Sequence, residues 1–130
     1  MATRQGSRFL VVDNNEEESG ALVRVLKSLG HEACATWSGR DALNFLGSDR
    51  FDLLLVDQYV ADMYVGEFIE RVLRLPNHPR LAVLKRTEKI NPIKCDKSLG
   101  ECEFLEKGQP DQMYQTLRTR FPEVSDGPVN

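Results

Sequence analysis

The sequence predicts an α/β fold in which a doubly wound parallel sheet of five strands carries helices on both faces. Short apolar runs alternate with segments whose apolar residues recur at helical spacing, and this alternation is typical of strand–helix–strand units. The most apolar run, residues 53–56 (LLLV), indicates a central strand, because strands of parallel sheets are covered on both faces. The connections between such strands are right-handed crossovers.

Length and composition restrict the classes of protein that the chain can represent. Its 130 residues and 41% hydrophobic content suit one globular domain with one core. The net charge of −3 opposes electrostatic attraction to nucleic acid or to anionic membranes. Apolar runs fall short of the roughly 20 residues that a membrane helix needs, and the polar N-terminus lacks a signal-peptide core. We therefore expect a cytoplasmic protein that contacts neither nucleic acid nor membrane directly.

The individual elements follow from apolar spacing and from residues that begin or end helices. Predicted strands cover residues 9–12, 32–36, 53–56 and 81–84, and a fifth lies at Phe104 and Leu105. Helices are predicted after the cap at residues 14–18, from residues 38–41, over 65–75 and from Pro110 to Phe121. Because of Pro92, residues 87–99 permit only a short or late-starting helix. Residues 1–8 are predicted to be a disordered N-terminus, 9–121 the domain and 122–130 a loose tail.

Charged residues follow four of the predicted strands: Asp13, Asp57, Lys85 and Lys107. In open α/β sheets, ligands bind beyond the carboxyl ends of the strands, so we expect these two carboxylates and two amines to converge. Neighbouring carboxylates repel each other unless a cation lies between them, and Mg²⁺ or a lysine can be that cation. A carboxylate in such surroundings can act as a nucleophile toward a phosphoryl group, whose charge the cations neutralise.

The first loop of the chain does not match the nucleotide, flavin or phosphohydrolase sites of other α/β proteins. A dinucleotide site has the pattern GxGxxG after the first strand. Residues 13–18 contain no glycine, and their three glutamates repel a pyrophosphate or a flavin phosphate. Residues 16–18 are predicted to begin the first helix in solvent or, alternatively, to add a secondary metal ligand. A P-loop motif is absent from the sequence. A phosphohydrolase of the DxD type has an acid two residues after the first aspartate, where this chain has Asn15.

Five motifs in order resemble the receiver domains of two-component response regulators over about residues 9–121. The motifs are residues 9–14, 30–43, 51–57, the pair Met63 and Glu67, and residues 99–107. The resemblance implies a flavodoxin-like sheet with strand order 2-1-3-4-5. It also implies a role in phosphorelay signalling, with a histidine kinase or phosphotransfer protein as donor. A downstream protein partner would bind the face formed by the family's fourth helix and fifth strand. Enzyme activity would be limited to autophosphorylation and autodephosphorylation.

The resemblance also implies a role for each matched residue. Asp57 would be the phosphoacceptor, and Lys107 would pair with the phosphoryl group. Phe104 occupies the position of the family's switch aromatic residue. The residues that would hold Mg²⁺ are Asp13, Asn14, Asp57 and, through its backbone carbonyl, Tyr59.

Several positions depart from the family pattern. Asn14 replaces the second acid, which predicts weaker Mg²⁺ binding. The Met-Pro pair after the acceptor is replaced by Val60-Ala61, and the Lys-Pro pair of the fifth strand by Lys107-Gly108.

The end of the fourth strand carries a further departure. The family has threonine or serine at this switch position. Two placements are open: we favour Lys85 there, because the alternative, Thr87, would bury Lys85 and Arg86 in the sheet. A Lys85–Asp57 ion pair could then fix one conformation. The chain is therefore interpreted as a phosphorylatable receiver or, alternatively, as a pseudo-receiver that binds a protein partner without phosphorylation.

Overall fold

The computed structural model describes residues 6–85, 103–106 and 110–122 and shows an α/β fold. Its strands are β1 (Arg8–Val12), β2 (Glu32–Thr36), β3 (Leu53–Asp57), β4 (Arg80–Lys85) and β5 (Glu103–Glu106). The helices within the described residues are α1 (Glu16–Ser28), α2 (Gly39–Ser48), α3 (Val65–Leu73) and α4 (Pro110–Arg120). The predicted α/β class is confirmed, whereas the uncertain segment 87–99 lies outside the described residues.

The strands pair in parallel in the order β2-β1-β3-β4-β5. On one side of β3 lies β1, with Val12 opposite Val56, and on the other side lies β4, with Leu84 opposite Asp57. Every residue of β3 is buried, as its apolar sequence predicts for a central strand. Because the strands are parallel, their last residues share one edge of the sheet, which we call the carboxyl edge.

Apolar side chains cover both faces of the sheet, because successive residues of a strand point to opposite faces. One face packs against α1 and α4 through Phe9, Leu55, Leu22, Leu26, Met113 and Leu117. The other face packs against α2 and α3 through Leu10, Leu54, Val56, Ala42, Phe68 and Val72. The two cores fix where each strand ends and therefore which polar residues reach the carboxyl edge.

Two helices begin at the carboxyl edge with side-chain caps. The side chain of Asn15 accepts a hydrogen bond from the N–H of Glu18 at 3.0 Å at the start of α1. Ser38 Oγ accepts one from the N–H of Asp41 at 3.1 Å at the start of α2. Such caps satisfy N–H groups that have no partner within the helix. They also place the acids of each first helical turn beside the strand ends.

Several element boundaries differ from the sequence prediction by one or two residues, and hydrogen bonds explain two of them. The first strand begins at Arg8 rather than at residue 9, because the Arg8 N–H donates to Asp52 Oδ2 at 2.8 Å and the Arg8 carbonyl accepts the Asp52 N–H at 2.8 Å. The third helix ends at Leu73 rather than at residue 75, in a tight turn in which the Leu75 N–H donates to the Val72 carbonyl. Residues 1–5 and 123–130, which form most of the predicted terminal segments, lie outside the described residues.

His31 joins both ends of the described fold at the edge opposite the carboxyl edge. The Ser7 N–H donates to His31 Nδ1 at 3.0 Å, and His31 Nε2 lies 3.4 Å from the Phe121 carbonyl oxygen. The imidazole also meets the Phe9 ring edge to face, with ring centroids 5.1 Å apart. The residue therefore ties the chain before β1 to the end of α4.

Replacing His31 with alanine is expected to lower the free energy of unfolding by about 1–3 kcal/mol, because the Ser7 N–H loses its acceptor and Phe9 loses an aromatic contact. His78→Ala is the matched control, since His78 is exposed and its ring contacts the carbonyl of the next residue. Urea unfolding of the two variants measures the difference. Equal losses of stability in the two variants would contradict a stabilising role of the His31 contacts with Ser7 and Phe9.

Candidate functional site

The two predicted aspartates lie side by side at the carboxyl edge. Asp57 is the last residue of β3, and Asp13 directly follows the adjacent strand β1. The Asp13 N–H donates to the Thr36 carbonyl at 3.1 Å, so the backbone at Asp13 stays aligned with the sheet. Both aspartates have 0% exposed surface. Burial of two carboxylates at neighbouring strand ends creates a strongly negative site.

A third carboxylate, that of Glu18, completes the site. Oxygen atoms from Asp13, Glu18 and Asp57 all lie within 4.8 Å of one another. Glu18 stands in the first turn of α1, where the Asn15 cap holds its backbone N–H. From the sequence, residues 16–18 are predicted to form a solvated helix start or, alternatively, to add a secondary metal ligand; Glu18 is half-buried, with its carboxylate beside those of the two aspartates, which favours the alternative for this residue. The spacing of five residues after Asp13, across a helix cap, is the sequence signal that points to it.

Backbone N–H groups orient both aspartates. Asp13 Oδ1 accepts a hydrogen bond from the Asn15 N–H at 2.9 Å. Asp57 Oδ1 accepts one from the Tyr59 N–H at 2.8 Å. Each bond runs from the residue two positions later, which is the geometry of an Asx turn. The carboxylates are therefore held in fixed orientations by the loops that follow their strands.

Two further residues of the predicted metal group, Asn14 and Tyr59, lie one and two positions after the aspartates in the chain. The side chain of Asn14 is exposed at the surface beside the buried Asp13. Tyr59 has a ring that is 45% exposed, while its N–H is turned to Asp57. The structure thus brings the carboxylates of Asp13 and Asp57 together and adds that of Glu18 to form a cluster of three.

Lys85 is the last residue of β4, and its side chain is exposed. Leu84 is the Cα partner of Asp57, whereas Lys85 is opposite Glu106 of β5. The ion pairs seen between described residues do not include one from Lys85 to Asp57. The lysine therefore lies at the predicted strand end without the ion pair that would fix a single conformation.

The remaining predicted site residues belong to less completely described parts of the chain. Phe104 lies in β5, where its backbone is opposite Val83 of β4. Thr87 and Lys107 lie outside the described residues.

The loop between β3 and α3, residues 58–64, is tied to the start of α2. Asp62 Oδ1 accepts the Gly39 N–H at 2.7 Å, and Asp62 Oδ2 accepts the Arg40 N–H at 3.1 Å. Partial desolvation raises the pKa of the Asp62 carboxyl, but these backbone hydrogen bonds and the Arg40 charge outweigh it and lower the pKa below its ordinary value of 3.8. Asp62 is therefore ionised when it holds the loop.

Comparisons with known proteins identify the fold and one relative in sequence. No known protein-family model matches the chain. A curated response regulator receiver protein of Anaeromyxobacter sp. (strain Fw109-5) is 31% identical over 68 residues, which are 52% of this chain. The solved chemotaxis response regulator CheY4 of Vibrio cholerae has 25% identity and a TM-score of 0.73, with 88% of this chain and 98% of that chain covered. The chain is thus similar in sequence to a response regulator receiver protein and has the fold of solved receiver domains.

More distant structures share the fold of the receiver domain. The phosphorylated cyanobacterial phytochrome response regulator RcpA has a TM-score of 0.74 at 17% identity, with 88% of this chain and 91% of that chain covered. This chain spans 29% of the length of the curated Anaeromyxobacter relative. Within the described residues, each helix is too short or too polar to span a membrane.

Proposed function

We propose that this receiver domain accepts a phosphoryl group on Asp57 from a histidine kinase or phosphotransfer protein, with Mg²⁺ held by Asp13, Glu18 and Asp57. The observation that carries the proposal is the clustering of three carboxylates at the carboxyl edge, with oxygens within 4.8 Å of one another. Carboxylates gathered this closely repel one another, and a divalent cation offsets that repulsion. Catalysis by this domain would extend no further than its own phosphorylation and the loss of that phosphate to water.

The donor atoms suit Mg²⁺ in chemistry and in spacing. Mg²⁺ binds oxygen ligands at about 2.0–2.1 Å, so two of its ligands lie at most about 4.2 Å apart. The carboxylate oxygens of the site fall within 4.8 Å, close to that span. The Tyr59 backbone carbonyl, which the family resemblance implies as a ligand, belongs to the same loop as the N–H that bonds Asp57. Glu18 supplies a carboxylate that the family pattern places at position 14.

Asp57 is the nucleophile in the proposed transfer. The Tyr59 N–H holds Oδ1, and the other carboxylate oxygen is proposed to attack the donor. A bond forms between that oxygen and phosphorus while the P–N bond of a phosphohistidine breaks, and the released nitrogen keeps the electron pair and takes a proton from solvent. Bound Mg²⁺ would neutralise charge on the transferring oxygens. Lys107 is proposed to pair with the same oxygens.

Titration with Mg²⁺ and then with beryllofluoride, a phosphoryl mimic on aspartate, tests this proposal. Amide NMR shifts around Asp13, Glu18 and Asp57 are expected to saturate with Mg²⁺ and to increase further with the mimic. Asp57→Asn is the control that should lose the response to the mimic. A flat response of the wild-type protein to both additions would refute phosphoacceptance.

Replacing Lys85 with threonine is expected to raise the Mg²⁺ affinity by about two- to fivefold, because a positive charge leaves the rim of the site. Lys27→Thr is the matched control, since Lys27 is also exposed but lies in the last turn of α1 at the far edge of the sheet. Isothermal titration with Mg²⁺ at low ionic strength measures both. Equal gains in the two variants would show that only the net charge matters.

The second candidate function is a pseudo-receiver that binds its partner without phosphorylation. It is favoured by the complete burial of Asp57, which a phosphodonor would have to reach, and by the lysine at the switch position. The partner is proposed to use the face of β5 and the segment before it; that segment lies outside the described residues. Asp57→Ala distinguishes the candidates: a pseudo-receiver keeps its partner affinity, whereas a phosphorylation-dependent receiver loses the gain that the donor provides.

A further inference from the structure

The β3–α3 loop needs an anchor that its own sequence does not provide. Residues 58–64 contain neither proline nor glycine, and Val60-Ala61 stand where the family has Met-Pro. The loop starts with the Gln58 N–H bonded to the Leu84 carbonyl at 3.0 Å and the Tyr59 N–H bonded to Asp57 Oδ1 at 2.8 Å. Val60 and Met63 pack partly against the core, but a polar anchor that fixes the loop backbone relative to a neighbouring helix restricts the torsions between Tyr59 and α3 further.

Asp62 provides this anchor by completing the N-terminus of α2. The first N–H groups of a helix have no partner within the helix. Ser38 Oγ accepts from Asp41, and the two Asp62 oxygens accept from Gly39 and Arg40, at 2.7 and 3.1 Å. The carboxylate is thus held by two directed bonds and by the positive end of the helix dipole.

Close packing reinforces the same junction. The side chain of Met63 lies so near Gly39 that a β-carbon at that position would stand 2.9 Å from Met63 Cε and 3.0 Å from Met63 Sδ. The absence of a side chain at Gly39 therefore allows Met63 to lie against the first turn of α2. Successive residues of the loop, Asp62 and Met63, thus contact the same residue of α2 by different interactions.

We propose that Asp62 is a positioning residue for Asp57: it fixes the β3–α3 loop on α2, so that the Tyr59 N–H stays bonded to the acceptor carboxylate. Asp62 acts on Asp57 indirectly, through the two residues, Val60 and Ala61, that join it to Tyr59. Its effect on ion binding rests on the proposed function, whereas its effect on the loop does not.

Amide hydrogen exchange at Tyr59 tests the positioning role directly. Asp62→Asn keeps one acceptor and Asp62→Ala keeps none, so Tyr59 exchange is expected to accelerate about tenfold in the asparagine variant and more in the alanine variant. Glu67→Gln is the matched control, because this substitution removes the same charge from an exposed acid in the nearby helix α3. Glu67 pairs with Arg71 at 3.0 Å. Exchange at the buried Val56 amide reports global unfolding and is expected to stay unchanged in Asp62→Asn.

The role is overturned if Tyr59 exchanges at the wild-type rate in both Asp62 variants, or if Glu67→Gln accelerates it equally. Mg²⁺ titration adds a second reading: Asp62→Asn is expected to weaken binding about tenfold, as loss of an outer partner of a metal site does. An unchanged Mg²⁺ affinity in that variant would overturn positioning of the site. If the wild-type protein binds no Mg²⁺, the proposed function fails, and Tyr59 exchange still decides whether Asp62 holds the loop.

Discussion

Replacing Phe68 with alanine is expected to lower the free energy of unfolding by about 3–5 kcal/mol. The Phe68 ring is fully buried in α3, on the face of the sheet where Leu54 and Val56 of the acceptor strand lie. Removing the ring eliminates its buried apolar contacts and leaves a cavity, which the surrounding strands and helices fill only in part. A domain of this size has about 5–15 kcal/mol of stability, so the variant should be close to unfolding.

Tyr64→Ala is the matched control for this prediction. Tyr64 precedes α3 and its side chain is 86% exposed, so its loss is expected to change stability by about 0.5 kcal/mol or less. Chemical unfolding followed by circular dichroism measures both variants. If Phe68→Ala lowers the free energy of unfolding by less than about 1.5 kcal/mol, the packing of α3 on β3 contributes little to stability.

The fold and the aspartates of the site could be predicted because their signals are local. The run at residues 53–56 fits only a strand covered on both faces, and the charged residues that follow such runs must share the carboxyl edge of a parallel sheet. The structure places Asp13 and Asp57 at that edge without further assumptions.

The sequence predicts no role for Asp62, and it offers a metal-ligand role for residues 16–18 only as the alternative to a solvated helix start, because both roles depend on which side chains the fold brings together. An acid in the first turn of a helix is ordinarily solvated there, and only the angle between α1 and β1 turns Glu18 toward Asp13. Asp62 looks like an ordinary loop residue until α2 is placed beside it, 23 positions earlier in the chain. Tertiary arrangement, rather than residue type, gives these acids their functions.

Replacing Glu18 with glutamine is expected to weaken Mg²⁺ binding by about tenfold or more, because affinity for hard cations depends on the number of charged oxygen ligands. Glu18 is half-buried with its carboxylate in the Asp13–Asp57 group, whereas Glu17, one residue earlier, is exposed. Glu17→Gln removes the same charge from the same helical turn and is expected to leave the affinity within about twofold, since surface charges are well screened by water. Equal losses in the two variants would show that the glutamates act only through the general field of the helix.

Restoring the family's acid at position 14 tests whether Glu18 replaces it. Asn14→Asp in the Glu18→Gln background is expected to recover the affinity lost with Glu18, because an acid again stands next to Asp13. In the wild-type background the same change adds a fourth carboxylate to the three already clustered, so its gain should be smaller than in the double variant. This non-additivity, measured as a double-mutant cycle of Mg²⁺ affinities, is the signature of two positions that serve one ligand. Additive effects would mean that Glu18 and position 14 act on the ion independently, so that Glu18 does not replace the family's acid.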